Sequence, residues 1–180
     1  MKTDALKRLA AFSALGLVVA VGAVSPAQAG CKGTLSAGYC VTIDSFASEA
    51  VVVNTMLLEN DSSSDDVKFF CDFETQPAVV ENVATGAGGA VSEPVRHALF
   101  NELSAQTGQD IVEALAHVGS PTAAPQVDVR LDAGQKTECQ QTVEQYVVEA
   151  TYVSYSGANA HRFVITGTVP YAVHTGLAGR

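Results

Sequence analysis

Hydrophobic and polar positions follow two different periods along this chain, and the changes of period divide it into three blocks. In the first, Tyr39 to Ile43 and Ala47 to Leu58 are dominated by β-branched and apolar residues. That predicts two strands, with Asp44-Ser45 as the turn between them. Glu59 to Asp66, ENDSSSDD, is polar throughout and reads as a loop between strands. In VKFFCDF, Val67, Phe69, Cys71 and Phe73 fall on one face, the period of a strand with its cysteine pointing inward. AVVENVA, Ala78 to Ala84, predicts a further short strand, and TGAGGA, Thr85 to Ala90, a flexible linker within the domain.

The middle block has the helical period. Ser92 suits an N-cap, Pro94 the first turn, and Val95, Ala98, Leu99 and Leu103 recur on one side. Gly108 suits the end of that helix. Asp110 and Glu113 form an Asp-x-x-Glu start for a second helix, with Ile111, Val112, Leu115 and Ala116 as its apolar side. Gly119-Ser120-Pro121 stops it. The prediction is a helical hairpin, Glu93–Thr107 and Ile111–Val118.

Strand periodicity then returns. Val127, Val129 and Leu131 alternate with Asp128, Arg130 and Asp132. Gln145 to Tyr155 and His161 to Tyr171 flank SGANA, which predicts a β-hairpin and leaves the tail after Tyr171 loose. Strands, helices and strands in that order indicate an α+β domain, a mostly antiparallel β-sheet covered by a helical hairpin. The alternative is a β-sandwich with a helical insertion.

Residues 1–29 read as a separate unit. Lys2, Lys7 and Arg8 precede the apolar run Leu9 to Val24, and Ala27-Gln28-Ala29 supplies small residues at a cleavage site. This is the order of a bacterial secretory signal, with cleavage expected between Ala29 and Gly30. The run is sixteen residues, rich in Ala and Gly, against about 20 strongly apolar residues for a transmembrane span. The mature chain, 30–180, is then a single exported domain with no transmembrane segment, located in the periplasm or outside the cell.

Charge changes the picture of partners. The leader carries three basic residues and one acidic one, so the net charge of −9 becomes −11 on cleavage. An acidic chain lacks the Lys and Arg that nucleic-acid phosphates require, which excludes nucleic acid as a partner. Trp is absent and aromatic residues make up 7%, a composition poor in the side chains that line many small-molecule pockets.

Four cysteines, Cys31, Cys40, Cys71 and Cys139, suit two disulfides in an oxidising compartment and allow three pairings. The local pair Cys31–Cys40 with the long-range pair Cys71–Cys139 is preferred. The rival Cys31–Cys71 has a spacing similar to the disulfide of chaperone–usher pilins, a sandwich in which a helical hairpin has no place. A lipid anchor on Cys31 is the alternative localisation. The bacterial lipoprotein pattern, however, has a Leu-like residue three places before its cysteine, where this chain has Gln28.

Candidate chemistry is sparse. Asp61, Asp65 and Asp72 are the weak calcium candidates: Asp61, Ser63 and Asp65 offer alternate oxygen ligands, and Asp72 takes the twelfth place. Asp66 stands where the turn of such a loop wants Gly. Asn60-Asp61-Ser62 matches the glycosylation triplet. His97, His117, His161 and His174 have neither H-x-x-x-H nor H-E-x-x-H spacing, and neither G-x-S-x-G nor S-x-x-K occurs. No cofactor and no catalytic residue is indicated. Tyr146, Tyr152, Tyr155 and Tyr171 gather in the final hairpin as sheet packing or as a contact strip. The expectation is an exported bacterial protein that binds, adheres or assembles, with the 145–171 hairpin as an edge for self-assembly. The alternatives are a small secreted hydrolase or metal-dependent enzyme, and a periplasmic inhibitor that offers its acidic loop to a cationic enzyme.

Overall fold

A computed structural model describes residues 30–34, 37–73, 80–120 and 126–178. The leader segment, 1–29, lies outside the described residues. Among the described residues, seven strands and two helices occur in the order β1 (Gly30–Thr34), β2 (Ala37–Glu59), β3 (Val67–Cys71), β4 (Asn82–Thr85), α1 (Glu93–Thr107), α2 (Ile111–Val118), β5 (Val127–Leu131), β6 (Lys136–Ser156) and β7 (Asn159–Leu177). Five strands form one antiparallel sheet in the order β1-β2-β6-β7-β4, and β3 and β5 form a second, two-stranded sheet. The protein is mostly antiparallel β-sheet with two short helices.

Three strands are far longer than the sequence pattern suggests. β2 runs unbroken through Asp44-Ser45, where a turn was expected. Asp44 is instead an extra residue, since β6 pairs Ala150 with Ile43 and Glu149 with Ser45. Such a bulge bends a strand without ending it. The carboxylate of Asp44 accepts a hydrogen bond from the Thr151 hydroxyl at 2.7 Å, which satisfies the polar group that made the position look like a turn. Val53 is the extra residue at a second bulge in β2.

The hairpin of β6 and β7 extends past both expected ends. Gly157, with φ of +61°, opens the two-residue connection, and Ala158 has negative φ. That is the type II′ pattern, whose twist matches the flanking strands. The tail after Tyr171 is not loose: β7 pairs with β6 out to Leu177 opposite Cys139. TGAGGA is likewise a tight turn rather than a linker, closed by hydrogen bonds from the Gly88 N–H to the Thr85 carbonyl and from the Gly89 N–H to the Thr85 hydroxyl. Of AVVENVA, β4 takes Asn82 onward, while Ala78 and Val79 lie outside the described residues.

Both helices occupy the expected spans. Gly108 in the left-handed region ends α1 by donating to the Ser104 carbonyl, and the Asp110 side chain caps α2 by accepting from the Glu113 N–H. Val95, Ala98, Leu99, Phe100 and Leu103 of α1 and Ile111 of α2 share one buried cluster with Val41, Ile43, Val148, Ala150, Ile165 and Val169. A second cluster joins Leu58 and Cys139 to Cys71, Val129 and Leu131 of the small sheet.

These two clusters lie on opposite faces of β6. That strand pairs with β2 without an extra residue of its own, so its side chains alternate strictly. Val148 and Ala150 therefore point one way, and Cys139, Gln141 and Val143 the other. The main sheet is buried on one face near the Gly157 turn and on the opposite face at its far end. Val118, in the last turn of α2, is buried with Val143 and Val173, which brings the chain to the second face before β5 begins.

Candidate binding surface

Among the described residues, the topology leaves a long unpaired edge. β1 pairs with β2 only as far as Val41. From Thr42 to Glu59, β2 pairs with β6 on one side and, among the described residues, with no strand on the other. Unpaired N–H and C=O groups along such an edge form a template for another extended chain. The bulges at Asp44 and Val53 bound a regular stretch, Ser45–Val52.

Apolar side chains gather there. Val51, Val52, Val53 and Leu57 of β2 are all exposed, Leu57 by 63%. Beside the same stretch, a shallow groove of about 420 Å³ opens on the sheet, lined by Ser45, Ala47, Val147, Glu149, Thr166 and Thr168 among others. Glu149 stands directly opposite Ser45, one strand in from the edge. The groove therefore has apolar walls, two threonines and one exposed carboxylate.

The reverse side of this region is already filled. Tyr39 stacks on Tyr152, Tyr152 packs on Phe163, Phe46 meets Tyr146 edge-on, and Tyr146 stacks on Tyr171 at 4.3 Å. The Tyr171 and Ser48 hydroxyls are 2.6 Å apart, and the Tyr146 hydroxyl donates to Gln109 at 3.2 Å. Burial pushes both phenols above their ordinary range; the bond to Ser48 opposes this for Tyr171. Three of the four hairpin tyrosines, Tyr146, Tyr152 and Tyr171, thus pack within the fold.

The residues singled out in the sequence fall into separate places. Cys31 bonds to Cys40 across β1 and β2, and Cys71 bonds to Cys139 between the two sheets. Cα atoms of the pairs are 4.0 and 5.8 Å apart. His97 pairs with Glu93 in α1, His117 ends α2, His161 is near the hairpin tip, and His174 is beside Glu144. In the acidic loop, the Ser62 hydroxyl accepts from the Asp65 N–H, and Asp66 pairs with Arg130. The Lys136 ammonium beside it lowers the Glu59 carboxyl from its ordinary range. Asp72 lies beyond β3. Among the described residues, no three His, Cys, Asp or Glu side chains are grouped to hold a metal ion.

Asn60 of the glycosylation triplet is 2% exposed. Its Nδ2 donates to the Asp65 and Leu131 carbonyls, so this amide is committed to the fold. As for the 145–171 hairpin, β6 is paired on both sides, so the edge it offers belongs to β7, which meets β4 only over Ile165–Thr168. The free edge of β2 went unread in the sequence, although Val51-Val52-Val53 hints at it. Three consecutive valines in a strand cannot all face one core.

No protein-family model matches the chain, and neither a curated protein nor a solved structure is detectably similar to it. No helix among the described residues is long and apolar enough to cross a membrane.

Proposed function

We propose that this is an exported, disulfide-stapled binding module that takes an extended, Lys- or Arg-bearing segment of a partner as an added strand along Ser45–Val52. The leader is removed between Ala29 and Gly30, and the mature domain works in the periplasm or outside the cell. The observation that carries this reading is the edge of β2 from Thr42 to Glu59, which no other strand among the described residues pairs, with the groove beside it. Strand addition draws affinity from main-chain hydrogen bonds and specificity from pockets for alternate side chains. Here the alternate positions lie beside Ala47 and the groove, and a cationic side chain crossing Ser45 meets Glu149. The negative net charge, −9 for the full chain and −11 after cleavage, favours a cationic partner and opposes a second copy of itself.

The test uses a synthetic peptide of alternating Val and Lys and records backbone amide shifts of the mature protein. Shifts are expected along Ser45–Val52, and Glu149→Lys should weaken binding at least about tenfold. Shifts confined to other elements at saturating peptide, or unchanged affinity in Glu149→Lys, would reject the site.

A further inference from the structure

Glu102 is a charged residue in a buried place. It lies on the inward side of α1 between Leu99 and Leu103 and is only 6% exposed. The Gln106 amide donates to its Oε1 at 3.2 Å. Among the described residues, no Lys, Arg or His forms an ion pair with it. A buried carboxylate in that condition is costly unless a cation joins it.

The neighbour that closes this gap is the first residue of β1. A Cβ at Gly30 would stand 3.2 Å from Oε2 of Glu102 and 3.9 Å from its Cβ. The Gly30 nitrogen is two bonds from that point, which keeps it within about 6 Å of the carboxylate oxygen before any side chain moves. In the leader-bearing chain this nitrogen is a neutral amide. Cleavage before Gly30 turns it into an ammonium group with three donors.

We propose that Glu102 is the receptor for the α-ammonium group created at Gly30, a site that leader removal completes. The proposal rests on the cleavage position in the preceding reading. Hydrolysis of the Ala29–Gly30 bond leaves a carboxylate on Ala29 and an amine on Gly30, protonated at neutral pH. That cation sits beside a carboxylate whose residue is only 6% exposed, where the attraction exceeds that of a fully solvated pair. The Cys31–Cys40 disulfide fixes the next residue of β1 to β2, so two adjacent ties hold the strand. A chain that keeps its leader folds to a weaker state, and cleavage strengthens it.

The experiment crosses two changes in the mature protein: Glu102→Gln, and acetylation of the Gly30 amine. Folding constants are read from urea unfolding. Glu102→Gln should lower the constant about tenfold when the amine is free and leave it unchanged or higher when the amine is acetylated. Equal effects in the two forms would overturn the pairing. Glu102→Asp, with a shorter reach, keeps the comparison possible if the Gln variant fails to fold: its loss should also vanish on acetylation. Intact mass of the exported protein separates the two readings. A native chain that begins elsewhere overturns the cleavage position and the Glu102 site together, one beginning at Gly30 without coupling overturns the Glu102 site alone, and neither result touches the edge of β2.

Discussion

Asn60 and Gln141 are both buried amides, 2% and 1% exposed, yet the fold uses them differently. Asn60 ties a corner: its Nδ2 holds the Asp65 and Leu131 carbonyls, its Oδ1 accepts from the Ser62 N–H, and its backbone bonds to Gln135 and Gly134. It joins the end of β2 to the acidic loop, to β5 and to the turn before β6. Gln141 accepts one bond from Asn54, and its Nε2 has no partner among the described residues. Removing a side chain that satisfies several buried groups costs about 1–3 kcal/mol for each group left unmet. Asn60→Ala is therefore expected to lower stability by about 3 kcal/mol or more in urea unfolding. Gln141→Leu removes an unmet donor along with one bond and should change stability by about 1 kcal/mol or less. Equal losses in the two variants would contradict this division. Neither role was legible in the sequence. A polar loop of Asn, Asp and Ser looks solvated because its composition reports the average of the segment, not the one amide turned inward.

At the scale of elements, what was legible had a local cause. The ends of α1 and α2 follow from Gly108 and Asp110, residues that act on backbone groups a few positions away. The hairpin turn follows from Gly157. What was misread depends on partners distant in sequence: β2 continues through Asp44 because the Thr151 hydroxyl donates to its carboxylate, and the tail of β7 is ordered because β6 pairs with it. The free edge is of this second kind, since only the strand order shows which strand lacks a neighbour. The preferred cysteine pairing also holds, and the two disulfides differ in setting. Cys31 is exposed on the edge strand, whereas Cys71 and Cys139 are 0% exposed. Sequence separations of 9 and 68 give about 2.6 and 4.4 kcal/mol of loop entropy, respectively, in the chain-entropy model. A small dithiol under native conditions should open Cys31–Cys40 first and leave the other bond intact until the protein unfolds. Timed alkylation with mass mapping reads the order. Early loss of Cys71–Cys139 would show that the second core opens more readily than its burial implies.

For the whole molecule, the aromatic ladder makes stability depend on alkaline pH. Burial raises the Tyr146 and Tyr171 phenols above their ordinary range, while in the unfolded chain they ionise near pH 10. Between those two values the folded protein holds more protons than the unfolded one. Their contribution is thus fully present below about pH 10 and is lost as pH rises through the folded values. Repulsion within an already acidic chain adds to the loss and is shared by every variant. Lys136, raised by Glu59, is exposed and remains in every variant, so it does not distinguish them. The Tyr146→Phe/Tyr171→Phe protein keeps both rings in the ladder and removes both ionisable groups, at the expense of the bonds to Gln109 and Ser48. Its stability at neutral pH should fall modestly, but its decline above pH 10 should be shallower than that of the unsubstituted protein. Urea unfolding across that range, with tyrosinate absorbance followed in parallel, measures both. Parallel declines would mean that the two phenols titrate alike in the folded and unfolded chains, and that the ladder is open to water on the side where Tyr171 meets Ser48.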